Sequence, residues 1–181
     1  MDTKFNAIMS AEEVMNLSKI ATFEKVSFKQ YIADCSKAGH WRDEDTLRKE
    51  WESIQLPTRA TSGSAGYDFY MPFESAVASN PITIPTGIRC KIEPGWVLVC
   101  CPKSGLGFKY KMELDNTIGV IDSDYYGSDN EGHIQAKFRT EKPTILKIGQ
   151  KFMQGIFLPF GITTDDTCDG IRNGGFGSTG V

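Results

Sequence analysis

At Leu56-Pro57 the spacing of apolar residues changes from helical to extended, and that change fixes what the remaining chain can build. Ile82 and Ile84 flank Thr83, and Ile88, Cys90 and Ile92 alternate with Arg89 and Lys91, which marks Cys90 as a small core residue. Pro94-Gly95 signals a turn, and residues 96–101 then run without a polar side chain, as suits a strand buried on both faces. Ile134, Ala136 and Phe138 alternate with Gln135, Lys137 and Arg139, and residues 152–160 form a further apolar stretch. Short strands between Gly, Pro and Asp turns, with no helical period among them, predict a mainly β unit over residues 56–170. Its architecture would be an antiparallel β-barrel or jelly-roll-like sandwich.

The preceding residues read differently. Ser10-Ala-Glu-Glu13 is a capping-box pattern, with Val14, Leu17 and Ala21 following on one helical face. Ser27-Phe-Lys-Gln30 starts a second helix that carries Phe28, Tyr31, Ile32 and Cys35 and closes at Gly39. A third runs from about Asp43 to Ser53, with Leu47 and Trp51 on one face and Glu44–Arg48 and Asp45–Lys49 as i,i+4 pairs. Residues 1–55 are therefore expected to be a helical N-terminal extension, either a cap on the sheet or a subunit neighbour, or a docking surface for a protein partner. Residues 171–181 are too glycine-rich to pack a core and predict a flexible tail.

The composition excludes several classes. At 181 residues, with 40% hydrophobic and 24% charged residues and a net charge of −3, the chain has the make-up of one globular domain with an appendage. The acidic balance argues against nucleic-acid binding, which needs a basic face. No apolar run reaches the ~18 residues of a membrane span, and residues 1–10 lack the pattern of a signal peptide, so a cytoplasmic location is expected. Five cysteines without a CxxC pair give neither a disulfide framework nor a zinc site. With two histidines, any divalent ion would be a hard one held by oxygen.

Gly175-Phe-Gly-Ser-Thr-Gly180 matches a dinucleotide fingerprint but has no strand–turn–helix to open, and neither a Walker A sequence nor a GxSxG elbow occurs. Residues 114–127 combine β-branched residues with Gly119, Gly127 and the turn-formers Asn116, Asp122, Ser123 and Asp124. They read as a hairpin from which Asp122 and Tyr125 project; taken alone, they would equally serve as a tight acidic turn. Four more glycine-bearing polar segments lie at predicted strand ends: Ser64-Ala-Gly-Tyr-Asp68, Pro102-Lys-Ser-Gly105, Gly149-Gln-Lys-Phe-Met-Gln154 and residues 172–180.

In order and spacing, these five segments resemble the motifs of the trimeric dUTP pyrophosphatase (dUTPase) family across residues 57–180, and the Asp129-Asn-Glu-Gly-His insertion resembles a bacterial or phage branch of it. The resemblance implies hydrolysis of dUTP to dUMP and pyrophosphate by in-line attack of water on the α-phosphorus. That reaction would remove dUTP from the nucleotide pool and supply dUMP for thymidylate synthesis. It implies Asp122 as the base that orients and deprotonates the water, and Tyr125 as the plate against the deoxyribose that excludes a 2′-hydroxyl. Asn116 and the backbone of Val120 and Ile121 would bind uracil. Gln135 would be a further substrate contact, or else a core strand residue. Lys103, Ser104, Gly105, Gln154 and Arg172 would take the triphosphate with Mg²⁺ bridging its oxygens, and Asp68 would hold that ion through water. Phe176 would stack on the base, with Gly177 beside it in the closing tail. The resemblance also implies a homotrimer with shared active sites. Lys103 stands where arginine is common, offering a point charge in place of a planar fork, and Lys151 replaces another frequent arginine. Two other readings are a related dCTP deaminase and a protein-binding regulator that uses dUTP as a switch.

Overall fold

A computed structural model of the chain describes residues 19–174. The chain enters as β1 (Ala21–Lys25), followed by α1 (Phe28–Lys37) and α2 (Glu44–Ser53). Both helices start where expected, and each is capped: Ser27 Oγ accepts from the Gln30 N–H at 3.1 Å, and Asp43 Oδ1 from the Thr46 N–H at 2.9 Å. Gly39, at φ +79, ends the first helix as its position indicates. The helix expected from Ser10 lies mostly outside the described residues, but Ala21, placed on its face, is in strand. β1 forms because its backbone pairs antiparallel with residues 88–92 and Phe23 packs edge-on against Phe69, 5.6 Å between centroids. The extension is thus part helix and part strand.

The remaining strands are β2 (Thr58–Arg59), β3 (Tyr67–Tyr70), β4 (Ser75–Val77), β5 (Ile82–Pro85), β6 (Ile88–Ile92) and β7 (Trp96–Pro102), then β8 (Glu113–Leu114), β9 (Gly119–Ile121), β10 (Gln135–Arg139), β11 (Thr144–Leu146) and β12 (Lys151–Pro159). A seven-residue helix that the extended period does not predict, α3 (Ser104–Tyr110), follows β7. Lys111 at φ +54 ends it by donating its N–H to Gly107 O at 2.9 Å, and buried Leu106 ties it to the core.

Every strand pair is antiparallel. The largest sheet has the order β2-β3-β12-β7-β9; β5-β10-β8, β1-β6 and β11-β4 make three smaller ones. Among the described residues these sheets do not close into one barrel. Only β7 and β12 are longer than five residues, and β12 carries a register shift between Lys151 and Met153, so closure of a continuous ladder has little strand to work with. One hydrophobic cluster lies between the sheets. Val26, Tyr31, Cys35 and Leu47 from the extension are buried in it beside Phe69, Leu98, Phe138 and Phe152. No helix among the described residues is long and apolar enough to cross a membrane.

Candidate active site

The five-stranded sheet brings four of the motif segments together. Asp68 on β3 faces Gln154 on β12, and Gln154 in turn faces Cys101 on β7. One residue along, Gly155 faces Cys100, which faces Gly119 on β9. Two glycines permit this tight alignment: a Cβ on Gly66 would lie 2.9 Å from Gln154 Oε1, and one on Gly119 would lie 3.2 Å from Cys100 Cβ. β7 ends at Pro102, so the Pro-Lys-Ser-Gly segment starts beside the same row.

Asp68 is 2% exposed and sits between two ammonium groups, with Lys103 Nζ 2.7 Å from Oδ1 and Lys151 Nζ 2.8 Å from Oδ2. Lys103 approaches off the hydrogen-bonding direction, so Oδ1 has an ion-pair partner but no well-formed hydrogen bond. Burial alone would push the Asp68 carboxyl up; the two lysines outweigh it and hold the group below its ordinary value. Lys103 Nζ also reaches Gln154 Oε1 at 3.4 Å. Lys151, which stands where an arginine is frequent, is therefore part of this cluster. Lys103 is the N-cap of α3, and Ser104 and Gly105 are exposed in its first turn, where a helix has N–H groups without intrahelical acceptors. The polar segment at this strand end is a helix start. An open pocket of about 390 Å³ lies against Lys103, Ser104 and Gly107.

The 114–127 stretch is not a simple hairpin. Its two arms meet only at the Leu114–Thr117 bridge, while β8 pairs with β10 and β9 pairs with β7. Thr117 at φ +70 makes the tip, with Asn116 exposed beside it. β9 is an edge strand, so alternate residues along it leave their N–H and C=O groups unpaired on the outer side, beside Val120, which is 53% exposed. Beyond Ile121 the chain turns into a 3₁₀ segment (Ser123–Gly127), which rotates Tyr125 inward rather than leaving it projecting. Tyr125 is buried; its hydroxyl donates to His133 O at 2.9 Å and accepts from Asn130 Nδ2 at 2.8 Å. Burial pushes the Tyr125 phenol up, which keeps the donor proton in place.

Asp122 is the N-cap of the 3₁₀ segment, yet its side chain makes no capping bond. Its carboxylate, partly exposed, instead meets Arg172 Nη1 at 3.0 Å, and the same nitrogen reaches Asp124 Oδ1 at 3.2 Å. The Arg172 guanidinium lies over the Tyr125 ring, 5.6 Å from its centroid. Arg172 is thus gathered with Asp122 and Tyr125 rather than with Lys103 and Gln154. Gln135 is half-buried on β10, opposite Pro85 in the three-stranded sheet. Phe176 and Gly177 lie outside the described residues. Among the described residues no three His, Cys, Asp or Glu side chains converge to hold a metal ion.

Mainly antiparallel sheets with short glycine-bearing polar segments aligned across the longest strands define a jelly-roll-like β protein. The family model described as dUTPase matches residues 52–180, and the chain belongs to the dUTPase family. It is 38% identical over 134 residues to the deoxyuridine 5′-triphosphate nucleotidohydrolase of Lactococcus lactis, an alignment that spans 71% of this chain and 89% of that protein. Among solved structures, the dUTPase of Streptococcus mutans superposes with a TM-score of 0.59 at 30% identity, covering 78% of this chain and 97% of that one. A mutant dUTPase from phage phi11 of S. aureus shares the fold at 16% identity, with a TM-score of 0.55 over 66% of this chain and 92% of its own; it is described with a structural Mg(II) ion. Relatives of this fold thus include bacterial and phage forms.

Proposed function

We propose that this chain is a dUTP diphosphatase that converts dUTP to dUMP and pyrophosphate. The register across the five-stranded sheet carries the reading, because it lines up Asp68, Gln154, Cys101 and, one step on, Gly119. A nucleotide laid along that row meets Lys103, Ser104, Gly105 and Gln154 at its phosphates and the open edge of β9 at its base.

Asp122 orients a water in line with the departing pyrophosphate. The water oxygen bonds to the α-phosphorus, its proton passes to the Asp122 carboxylate, and the bond to the bridging oxygen breaks, its electron pair leaving with pyrophosphate. No capping bond holds that carboxylate; its partner is Arg172, which the phosphates would draw away. Asn116 and the backbone of Val120 and Ile121 read uracil, since a cytosine ring would leave donors and acceptors unpaired. Tyr125 excludes a ribose by shape, and Arg172 pairs with the terminal phosphate. Gln135 is assigned to the strand and not to the substrate. Phe176 and Gly177 cover the base, and three copies of the chain share three sites.

Asp68 does not fit the role of water-mediated ion holder, because both of its oxygens lie against lysines. Mg²⁺ arriving with the nucleotide would offset the charge of the phosphates beside Lys103, Ser104 and Gln154. The test is product analysis of the purified chain with dUTP, dCTP and UTP in Mg²⁺ buffer. Pyrophosphate from dUTP alone is expected. Ammonia from dCTP, or dUTP binding without turnover, would replace this reading with the deaminase or the switch.

A further inference from the structure

The loop that follows the catalytic turn is gripped from outside the family-matched region. Glu24 on β1 accepts from the Tyr126 hydroxyl at 2.8 Å and from Arg89 Nη2 at 2.8 Å. Ser27 donates its N–H and its hydroxyl to the two carboxylate oxygens of Glu131, at 2.7 and 2.6 Å. Asp34 on α1, buried, meets His133 Nδ1 at 2.7 Å. Three consecutive features of the N-terminal segment thus hold positions 126, 131 and 133.

The histidine has only one tautomer that fits. Gly87 N–H can only donate, and its partner is His133 Nε2 at 2.7 Å, so Nε2 carries the lone pair and Nδ1 carries the proton given to Asp34. Both ring nitrogens are engaged, so His133 is neither a base nor a ligand; it is a fixed strut. Its backbone carbonyl is the acceptor of the Tyr125 hydroxyl. The backbone beside it is also held against its preference. Glu131 sits at φ +58, where a side chain is unfavourable, and Gly132 follows at φ +68, where a Cβ would lie 2.7 Å from Tyr125 O and Tyr126 Cα. Such a conformation persists only when its surroundings impose it, and Ser27 is the group in contact with the Glu131 carboxylate.

We propose that Asp34 and Ser27 are positioning residues that set the placement of Tyr125, and through it the enzyme's preference for deoxyribose over ribose triphosphates. The proposal rests on Tyr125 acting as the sugar gate. Neither residue touches substrate: Asp34 acts through His133, and Ser27 through Glu131.

The experiment compares kcat/KM for dUTP and for UTP in the full-length protein. Asp34→Ala and Glu131→Ala are each expected to lower the dUTP/UTP ratio by about tenfold, as a small displacement of a positioning group does. Asp34→Asn, which keeps an acceptor for Nδ1–H, should restore most of it. Loss of folded protein alone would scale both substrates together and leave the ratio unchanged. Glu131→Ala cuts both Ser27 contacts while leaving a Cβ at φ +58, so it decides the matter if Asp34→Ala does not fold. Tyr125→Ala tests the gate itself. If it leaves the ratio unchanged, the sugar-gate reading fails. If it collapses the ratio while Asp34→Ala and Glu131→Ala do not, the positioning proposal alone is overturned.

Discussion

Arg172 Nη1 lies 3.0 Å from Asp122 Oδ2, so the proposed phosphate cation is paired with the proposed base. A guanidinium held by two carboxylates is a good partner for a triphosphate, which offers more charge and more acceptors than Asp122 and Asp124 together. On the proposed mechanism, nucleotide binding and release of the base are one exchange of partners for Arg172.

Asp122→Asn tests that exchange. It removes a competitor for Arg172 and should tighten binding of a non-hydrolysable dUTP analogue by about threefold, within the range of partly exposed ion pairs. Turnover should fall by about 10²–10⁴-fold, the usual contribution of a general base. Calorimetry with the analogue and steady-state kinetics with dUTP check the two halves. In the Arg172→Gln background the gain in binding should vanish.

Asp68 predicts an acid-sensitive fold. Its folded value is lowered from an unfolded value of about 3.9, so its stabilisation is complete above that pH and disappears as pH falls through the lower folded value. Asp68→Asn should therefore melt earlier than wild type at pH 7, with the gap closing as pH falls from about 5 to 2. A gap that stayed constant would mean the lysine pairs contribute no pH-dependent stability.

Removing residues 1–50 should abolish cooperative folding rather than trim an appendage. Burial of Val26, Tyr31 and Leu47 is worth about 1.5–3 kcal/mol each, against a whole-domain margin of about 5–15 kcal/mol. Loss of Asp34 also leaves buried His133 Nδ1 without an acceptor, at about 1–3 kcal/mol more. A single sharp melt in the shortened protein would refute this.

Ending the chain after Gly170 should have the opposite signature. Among the described residues none of the buried hydrophobic core follows Met153, so the melting temperature should hold within about 2 °C, while dUTP turnover falls by at least about tenfold with Arg172 and the expected Phe176 gone. Calorimetry and a pyrophosphate assay on the same sample measure both.

The parts of the fold that were legible in the sequence are those written in local signals. Ser27 with Gln30, and Asp43 with Thr46, announce their helices because capping acts over three residues. β1 is not legible, since Ala-Thr-Phe-Glu-Lys has no clean period and becomes a strand only where β6 offers an edge. α3 is hidden by Gly105 and Gly107, poor helix formers that Leu106 and the Lys111 cap override. The motif segments of the site could be recognised one by one. The link from Lys151 to Asp68 could not, because it depends on the β3–β12 register, nor could the His133–Asp34 pair, whose members are 99 positions apart. Glu131 and His133 are visible in the sequence as residues; their partners are not.

Pairing of β1 with β6 gives this chain two different edges. The family model matches from residue 52, whereas the buried core starts at Val26. On the proposed positioning role, drift at Ser27 or Asp34 would alter the choice of sugar while every motif residue stays the same.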